Sequence, residues 1–423
     1  MKNSWLCSLG FWLLTACSVV LTSCATNSVT PKTIAGAAPL TWSVRLADSE
    51  MARRGDTLAW KEGGKARWDY TAGLFTLSLL KLNQQVPDRR YVAFVTNAIG
   101  SFVLPNGRIQ TYKLDEYQLD AINPGKTMLL LWETGLTSES RYKTACDFLR
   151  EQLYRQPRTP EGGLWHKQRY TNQMWLDGIY MAAPFHAAMG RYFKNFSLNN
   201  STYDEVAKQF NLIDVHTYDS ASGLNYHGWD AAKVQLWANP ATGCSSNFWG
   251  RAMGWYAMAL VDTLDYFPTN HPARAELIAT LQKTARGLVK WQDAKTGLWW
   301  QVMDAGERPG NYLEATAAAM FVYTLAKGVN HGYLPAEFAV AAERGYAGIV
   351  KNFLHDDGHG QWSFRQCCSV AGLGFKNAAG HPRDGSFEYY VGEPIVTNDL
   401  KGVGPFILAG IEMQSLASSA KKP

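Results

Sequence analysis

Cysteine is scarce in this chain, and an excess of either charge is scarcer. Of seven cysteines, three (Cys7, Cys17 and Cys24) fall within the first 24 residues. The other four, Cys146, Cys244, Cys367 and Cys368, follow no zinc-ligand spacing, and the adjacency of the last two suits a disulfide framework poorly. They read as reduced structural thiols, with a single bridge after export left open. A formal net charge of +5, scattered along the sequence, supplies no basic face for nucleic acid. The apolar run from Trp5 to Leu14 is too short for a comfortable membrane span. Strand-like runs are few as well: Gly360 to Phe364 and Gly385 to Tyr390 suggest short hairpin arms.

What is present begins with an address. Lys2 and the apolar run that follows have the form of an export signal, and Leu21-Thr22-Ser23-Cys24 resembles a bacterial lipobox with Cys24 as the lipidated residue. Leu14-Thr15-Ala16-Cys17 is a second match that would leave a shorter apolar region; a plain secretory signal is the blander alternative. These residues predict export and lipid anchoring at a bacterial cell envelope, facing the periplasm or the surface. Residues 25–40, rich in Ser, Thr, Pro and Ala without periodicity, predict a flexible tether. Residues 41–423 then form one domain, since no linker interrupts the pattern.

That pattern is a repeat. Six segments are apolar nearly all round: Trp68 to Leu82, Asn123 to Trp132, Leu176 to Phe193, Gly250 to Phe267, Leu313 to Lys327 and Lys401 to Leu416. A helix apolar on every side is a buried helix. Amphipathic patterns lie between them, with weaker ones at Arg89 to Phe102 and Tyr203 to Ile213. Buried and half-buried helices in alternation predict an all-α protein, an (α/α)6 barrel of six helical hairpins closed into a ring.

In such a ring the inner helices open at one rim, and the loops feeding them build a site. Asp177 stands among Trp175, Leu176, Ile179 and Tyr180 at the mouth of the third inner segment. A carboxyl in apolar surroundings finds donors or keeps its proton, and a retained proton is what a general acid needs. Capping its own helix is the competing role. Asp120 lies outside the second inner segment, where a turn is the commoner use of a lone Asp. His227 and then Trp249, Arg251 and Trp255 gather at the fourth entrance. A buried guanidinium needs an anion, either a bound carboxylate or an internal partner such as Asp230 or Asp177. His227 alone would more often be a hydrogen-bonded core imidazole. Sixteen Trp and 20 Tyr supply flat faces for sugar rings, although aromatics fill cores more often.

Taken together, the runs Trp-Leu-Asp-Gly-Ile-Tyr-Met-Ala, Phe-Trp-Gly-Arg-Ala-Met-Gly-Trp, Asn-Tyr-Leu-Glu-Ala and Lys-Gly-Val-Gly-Pro-Phe resemble glycoside hydrolase family 105. These are the unsaturated rhamnogalacturonyl hydrolases, related to the unsaturated glucuronyl hydrolases of family 88. The resemblance runs from about Trp68 to Ala409 and implies the (α/α)6 barrel already read from periodicity. It implies removal of a 4,5-unsaturated uronic acid from oligosaccharides left by a polysaccharide lyase, in pectin degradation by default. The enol ether is protonated at C4 and hydrated at C5, with no attack at the anomeric carbon. By position, Asp177 matches the general acid and base and Asp120 the second acid. His227, Trp249, Arg251 and Trp255 match residues that contact the unsaturated sugar, and Trp175 and Tyr70 join them as binding aromatics. No cofactor or metal is implied, and the partners are unsaturated uronyl oligosaccharides, with the lyase a functional partner upstream.

The loops Gln156 to Arg169 and Gly360 to Gly385 are where substrate choice is expected, with ulvan-type or glycosaminoglycan oligomers as alternatives to rhamnogalacturonan. A sugar epimerase or another glycosidase on the same ring is a second reading. An epimerase would be expected to use paired histidines, and only His227 stands in an entrance motif. A glycan-binding surface lipoprotein without catalysis is a third, opposed by the presence of both Asp177 and Asp120.

Overall fold

The computed structural model describes residues 33–55, 58, 65–192, 199–376 and 380–419. The export signal, Cys24 and the start of the tether lie outside them. From Lys32 the chain forms one compact unit. In order its helices are α1 (Pro39–Arg54), α2 (Tyr70–Gln85), α3 (Arg89–Gly100), α4 (Gly125–Glu133), α5 (Ser140–Arg155), α6 (Leu176–Tyr192), α7 (Asn199–Thr217), α8 (Gly250–Leu264), α9 (Arg274–Lys290), α10 (Ala315–Asn330), α11 (Phe338–Asn352), the short α12 (Phe387–Gly392) and α13 (Leu400–Ser419).

Six of them form a closed inner ring: α2 packs on α4, α4 on α6, α6 on α8, α8 on α10, α10 on α13, and α13 back on α2. Each carries one outer partner, in turn α3, α5, α7, α9, α11 and α1. The split follows from the side chains. Every residue of α8 is buried, whereas α9 buries one stripe, Leu277, Leu281, Thr284, Ala285 and Leu288 among it. Each large apolar side chain so buried contributes about 1.5–3 kcal/mol. Close approach needs small residues: a Cβ on Gly73 of α2 would lie 2.7 Å from Pro124 Cα at the start of α4.

The sixth outer helix, α1, begins inside the expected tether. Trp42 donates its indole N–H to the Ile34 carbonyl at 2.9 Å, and Ser43 donates to Ile407 on α13 at 3.0 Å, so this segment is part of the ring. Gln361–Phe364 does form a hairpin arm, β6, against β5 (Leu354–Gly358). Gly385 to Tyr390, expected as another arm, does not. Ser386 accepts the Tyr389 N–H at 3.1 Å and starts α12 there, an N-cap that outweighs the strand preference of the aromatics. The other strands are two or three residues long: β1 (Gln173–Trp175) with β4 (Gly228–Asp230), β2 (Tyr218–Asp219) with β3 (Leu224–Asn225), and β7 (Cys367–Cys368) with β8 (Ile395–Val396). Cys146, Cys244, Cys367 and Cys368 are all buried free thiols.

Candidate active site

Short main-chain ladders bring the acids together. β1 runs straight into α6, and its antiparallel partner β4 follows His227, so Trp175 pairs with Gly228 and the Leu176 N–H donates to the His227 carbonyl at 3.0 Å. That register sets Asp177 beside His227. A Cβ on Gly228 would lie 2.9 Å from the Trp175 ring, which is why the smallest residue stands there. A second ladder passes through His166, whose N–H donates to Gln173 at 2.9 Å and whose carbonyl accepts from Leu119 at 3.1 Å. It carries Asp120, one residue after Leu119, to the same place.

Asp177 and Asp120 line a cleft of about 390 Å³ together with Tyr70, His166, Lys167 and Trp175, and His227 lies behind its wall. The Asp177 carboxyl is 13% exposed, and its Oδ2 lies 3.2 Å from His227 Nε2. The approach is too oblique for a hydrogen bond, leaving both atoms without a partner. The other ring nitrogen of His227, Nδ1, is 2.8 Å from the Tyr390 hydroxyl, so this fully buried imidazole is hydrogen-bonded to a phenol on one side and lies beside a carboxyl on the other. Burial holds the Tyr390 phenol well above its usual range, with further upward pressure from Tyr389 and Asp177.

Asp120 is managed differently. Burial pushes its carboxyl up, but Lys167, His166 and Arg169 together outweigh burial and hold it below the usual carboxylate range. Lys167 Nζ donates to Oδ2, and His166 Nε2 lies 3.5 Å from Oδ1. Burial drives the His166 imidazole down to about 4, so it is neutral at physiological pH. Its ring stacks on Trp175 with centroids 4.6 Å apart, and Trp175 stacks in turn near Tyr170 at 4.5 Å. Gly178 makes room for this stack, because a Cβ there would come within 2.9 Å of His166 Nδ1.

The remaining expected residues sit behind the cleft wall. Trp255 is buried, with its ring edge-on to Tyr70 at 6.0 Å and stacked on Tyr180 at 5.0 Å. Trp249 is buried against His227, 4.7 Å between centroids, and against Tyr390 at 5.8 Å. Arg251 lies over the Trp249 ring at 4.6 Å. It donates to the Cys368 carbonyl, while its Nε has no partner. Neither internal partner foreseen for it forms an ion pair with it: Asp230 instead accepts the backbone N–H groups of Ala232, Val234 and Gln235. Burial opposes the Arg251 charge, but Cys368, Glu314, Asp399 and Tyr70 more than restore it, so the guanidinium stays protonated. Glu314, from the Asn-Tyr-Leu-Glu run, caps α10 through Ala317 N–H and also accepts Cys368 N–H at 2.8 Å.

Sequence reasoning did not single out His166, Lys167, Arg169, Tyr390 or Arg383. The run His166-Lys167-Gln168-Arg169-Tyr170, just ahead of the Asp177 segment, was the available signal for three of them. With His166 present, the cleft region holds two histidines instead of one, but the Nε2 of His166 faces Asp120.

The family model described as Glycosyl Hydrolase Family 88 matches residues 42–417. A solved Family 105 glycoside hydrolase from C. acetobutylicum is 40% identical, with a TM-score of 0.81 over 88% of this chain and 99% of that one. The unsaturated rhamnogalacturonyl hydrolase YesR of Bacillus subtilis is 26% identical over 258 residues, 60% of this chain and 68% of that protein. The unsaturated glucuronyl hydrolase of Bacillus sp. GL1, 13% identical, shares the fold with a TM-score of 0.64 over 88% of this chain and 95% of its own.

Proposed function

The chain belongs to Glycosyl Hydrolase Family 88, and from that premise we propose that it removes a 4,5-unsaturated uronic acid from the non-reducing end of lyase-generated oligosaccharides. Asp177 is the general acid and base. The observation that carries this reading is the Asp177 Oδ2 atom, buried, without a hydrogen-bond partner, and in the wall of a cleft shared with a second carboxyl.

A protonated Asp177 gives its proton to C4 of the enol ether while water adds at C5, and the resulting carboxylate takes the proton that water releases. The C5 hemiketal then opens and frees the aglycone, so Asp177 ends as it began. Asp177 Oδ2 faces His227 Nε2 at 3.2 Å, and the Tyr390 hydroxyl, 2.8 Å from the other ring nitrogen, fixes the orientation of that imidazole. Tyr70 and Trp175 give the ring its aromatic walls.

Rhamnogalacturonan is the substrate backbone favoured by the relationship to YesR. The lipobox supports export and anchoring at the cell envelope through Cys24.

The test follows the ultraviolet absorbance of the conjugated uronate while purified protein acts on lyase-digested rhamnogalacturonan. Wild-type protein should abolish the band. Asp177→Asn, nearly isosteric at an atom that makes no hydrogen bond, keeps the fold and loses about 10²–10⁴ in kcat. Activity within tenfold of wild type would remove Asp177 from the role.

A further inference from the structure

Three aromatic rings enclose the imidazole beside Asp177: Trp175, Trp249 and Tyr390, with centroids 5.4, 4.7 and 6.0 Å from that of His227. Trp175 is held from within its own strand, donating its indole N–H to Gln173 Oε1 at 3.2 Å. Trp249 and Tyr390 come from separate entrances, one just ahead of α8 and the other in α12, and a single residue holds both. Gln301 accepts the Trp249 indole N–H on Oε1 at 3.2 Å, and its Nε2 donates to the Tyr390 carbonyl at 2.9 Å.

This clasp is fixed at both ends. The Gln301 main chain donates its N–H to the Tyr312 carbonyl at 2.8 Å and accepts the Gly250 N–H at 2.9 Å, so the fully buried side chain reaches out from an anchored origin. The Tyr390 carbonyl needs such a donor, because the residue four positions on is Pro394, which has no N–H to give. The Trp249 indole is buried as well, so an apolar side chain at 301 would leave both groups without partners. With the amide in place, the Trp249 and Tyr390 rings stack within 17° of parallel, and the Tyr390 hydroxyl reaches His227 Nδ1 at 2.8 Å.

We propose that Gln301 is a positioning residue for the reaction: by setting where Tyr390 and Trp249 stand, it fixes the His227 ring against Asp177. Gln301 itself does not line the cleft, so it acts through these neighbours and not on the sugar. This rests on the unsaturated uronyl hydrolase reading, with Asp177 as acid and base, and extends its machinery to a residue on the loop ahead of α10.

Gln301→Met, close to the original in length, removes both hydrogen bonds. Followed by loss of the conjugated band, it should lower kcat about tenfold with KM little changed. The separating measurement is the double variant with Tyr390→Phe. If Gln301 acts through the Tyr390 hydroxyl, removing it from a protein that already lacks that hydroxyl should cost less than about twofold further in kcat. Should Gln301→Met fail to fold, Gln301→Asn, the same amide one methylene short of its partners, is read in the same way. A wild-type kcat in the single variant, a loss carried by KM, or losses that multiply in the double variant overturns the proposal and leaves the hydrolase reading standing. No loss of absorbance with wild-type protein on any unsaturated uronyl oligosaccharide overturns both.

Discussion

Removing one oxygen atom tests whether the buried imidazole, oriented by Tyr390, supports the acid role proposed for Asp177. In Tyr390→Phe, His227 Nδ1 loses the hydroxyl now 2.8 Å away, and nothing else is within reach, because the ring is fully buried between Trp249, Trp175 and Tyr390. An unsatisfied buried ring nitrogen costs about 1–3 kcal/mol. For a chain of this size the melting temperature should fall by about 1–4 °C, at about 2 cal/mol/K of unfolding entropy per residue. The more telling change is in position. Without the hydroxyl the imidazole loses the one hydrogen bond that fixes its rotation, and Nε2 is no longer held 3.2 Å from Asp177 Oδ2. On the proposed role of Asp177, loss of that alignment should lower kcat about tenfold, equivalent to about 1.4 kcal/mol, with KM little changed. The assay is the decay of uronate absorbance over a substrate series, beside a thermal melt. A variant that melts lower but keeps the wild-type kcat would refute the coupling and reduce Tyr390 to a packing residue.

Lys167→Met should raise the Asp120 carboxyl towards its ordinary range. A depressed carboxyl adds stability above its unfolded value and loses it as pH falls through its folded one, so the variant should lose acid tolerance earlier and its acid limb of kcat should shift to higher pH. Lys126 presents the opposite sign: burial lowers it to about 7, and its Nζ rests 3.4 Å from the centre of the Tyr180 ring. The unfolded chain holds that proton up to about pH 10, so wild-type stability should climb between pH 7 and 10; Lys126→Met should be about 1–4 kcal/mol more stable at pH 7 and lack the climb, as thermal melts would show. Cys24→Ser should move the protein from the membrane to the soluble fraction on cell fractionation, and continued sedimentation with membranes would place the anchor elsewhere.

The inner ring was legible because a helix buried on all sides carries few charges, and α6, α8, α10 and α13 stand out as largely apolar segments. The helix α1 was not. Asp48, Glu50, Arg53 and Arg54 interrupt its stripe, and Glu50 is buried only because Arg53 and Arg54 both bind it. Such a pairing is invisible until the helix forms. The acids of the site were legible for a similar reason: Asp177 is conspicuous among aromatics in sequence and remains so in space. His166 and Arg383 were not, since the first reaches Asp120 through loop-to-loop main-chain bonds and the second lies more than 200 residues from Asp177. Arg251 shows a limit of another kind. Its burial was foreseen, but the need for an anion is met in large part by a peptide carbonyl and the field of Glu314 and Asp399.

The seam of the ring lies between the two ends of the chain. α1, made first, rests on α13, made last, and Tyr346 also ties Pro39 into the closure at 3.0 Å. Neither α1 nor α2 can bury its inner face until residues more than 300 positions later have been synthesised. Loops of that length close slowly, so the polypeptide should stay open and threadable through translation. Because α13 closes both α1 and α2 into the ring, that late helix decides when folding can finish.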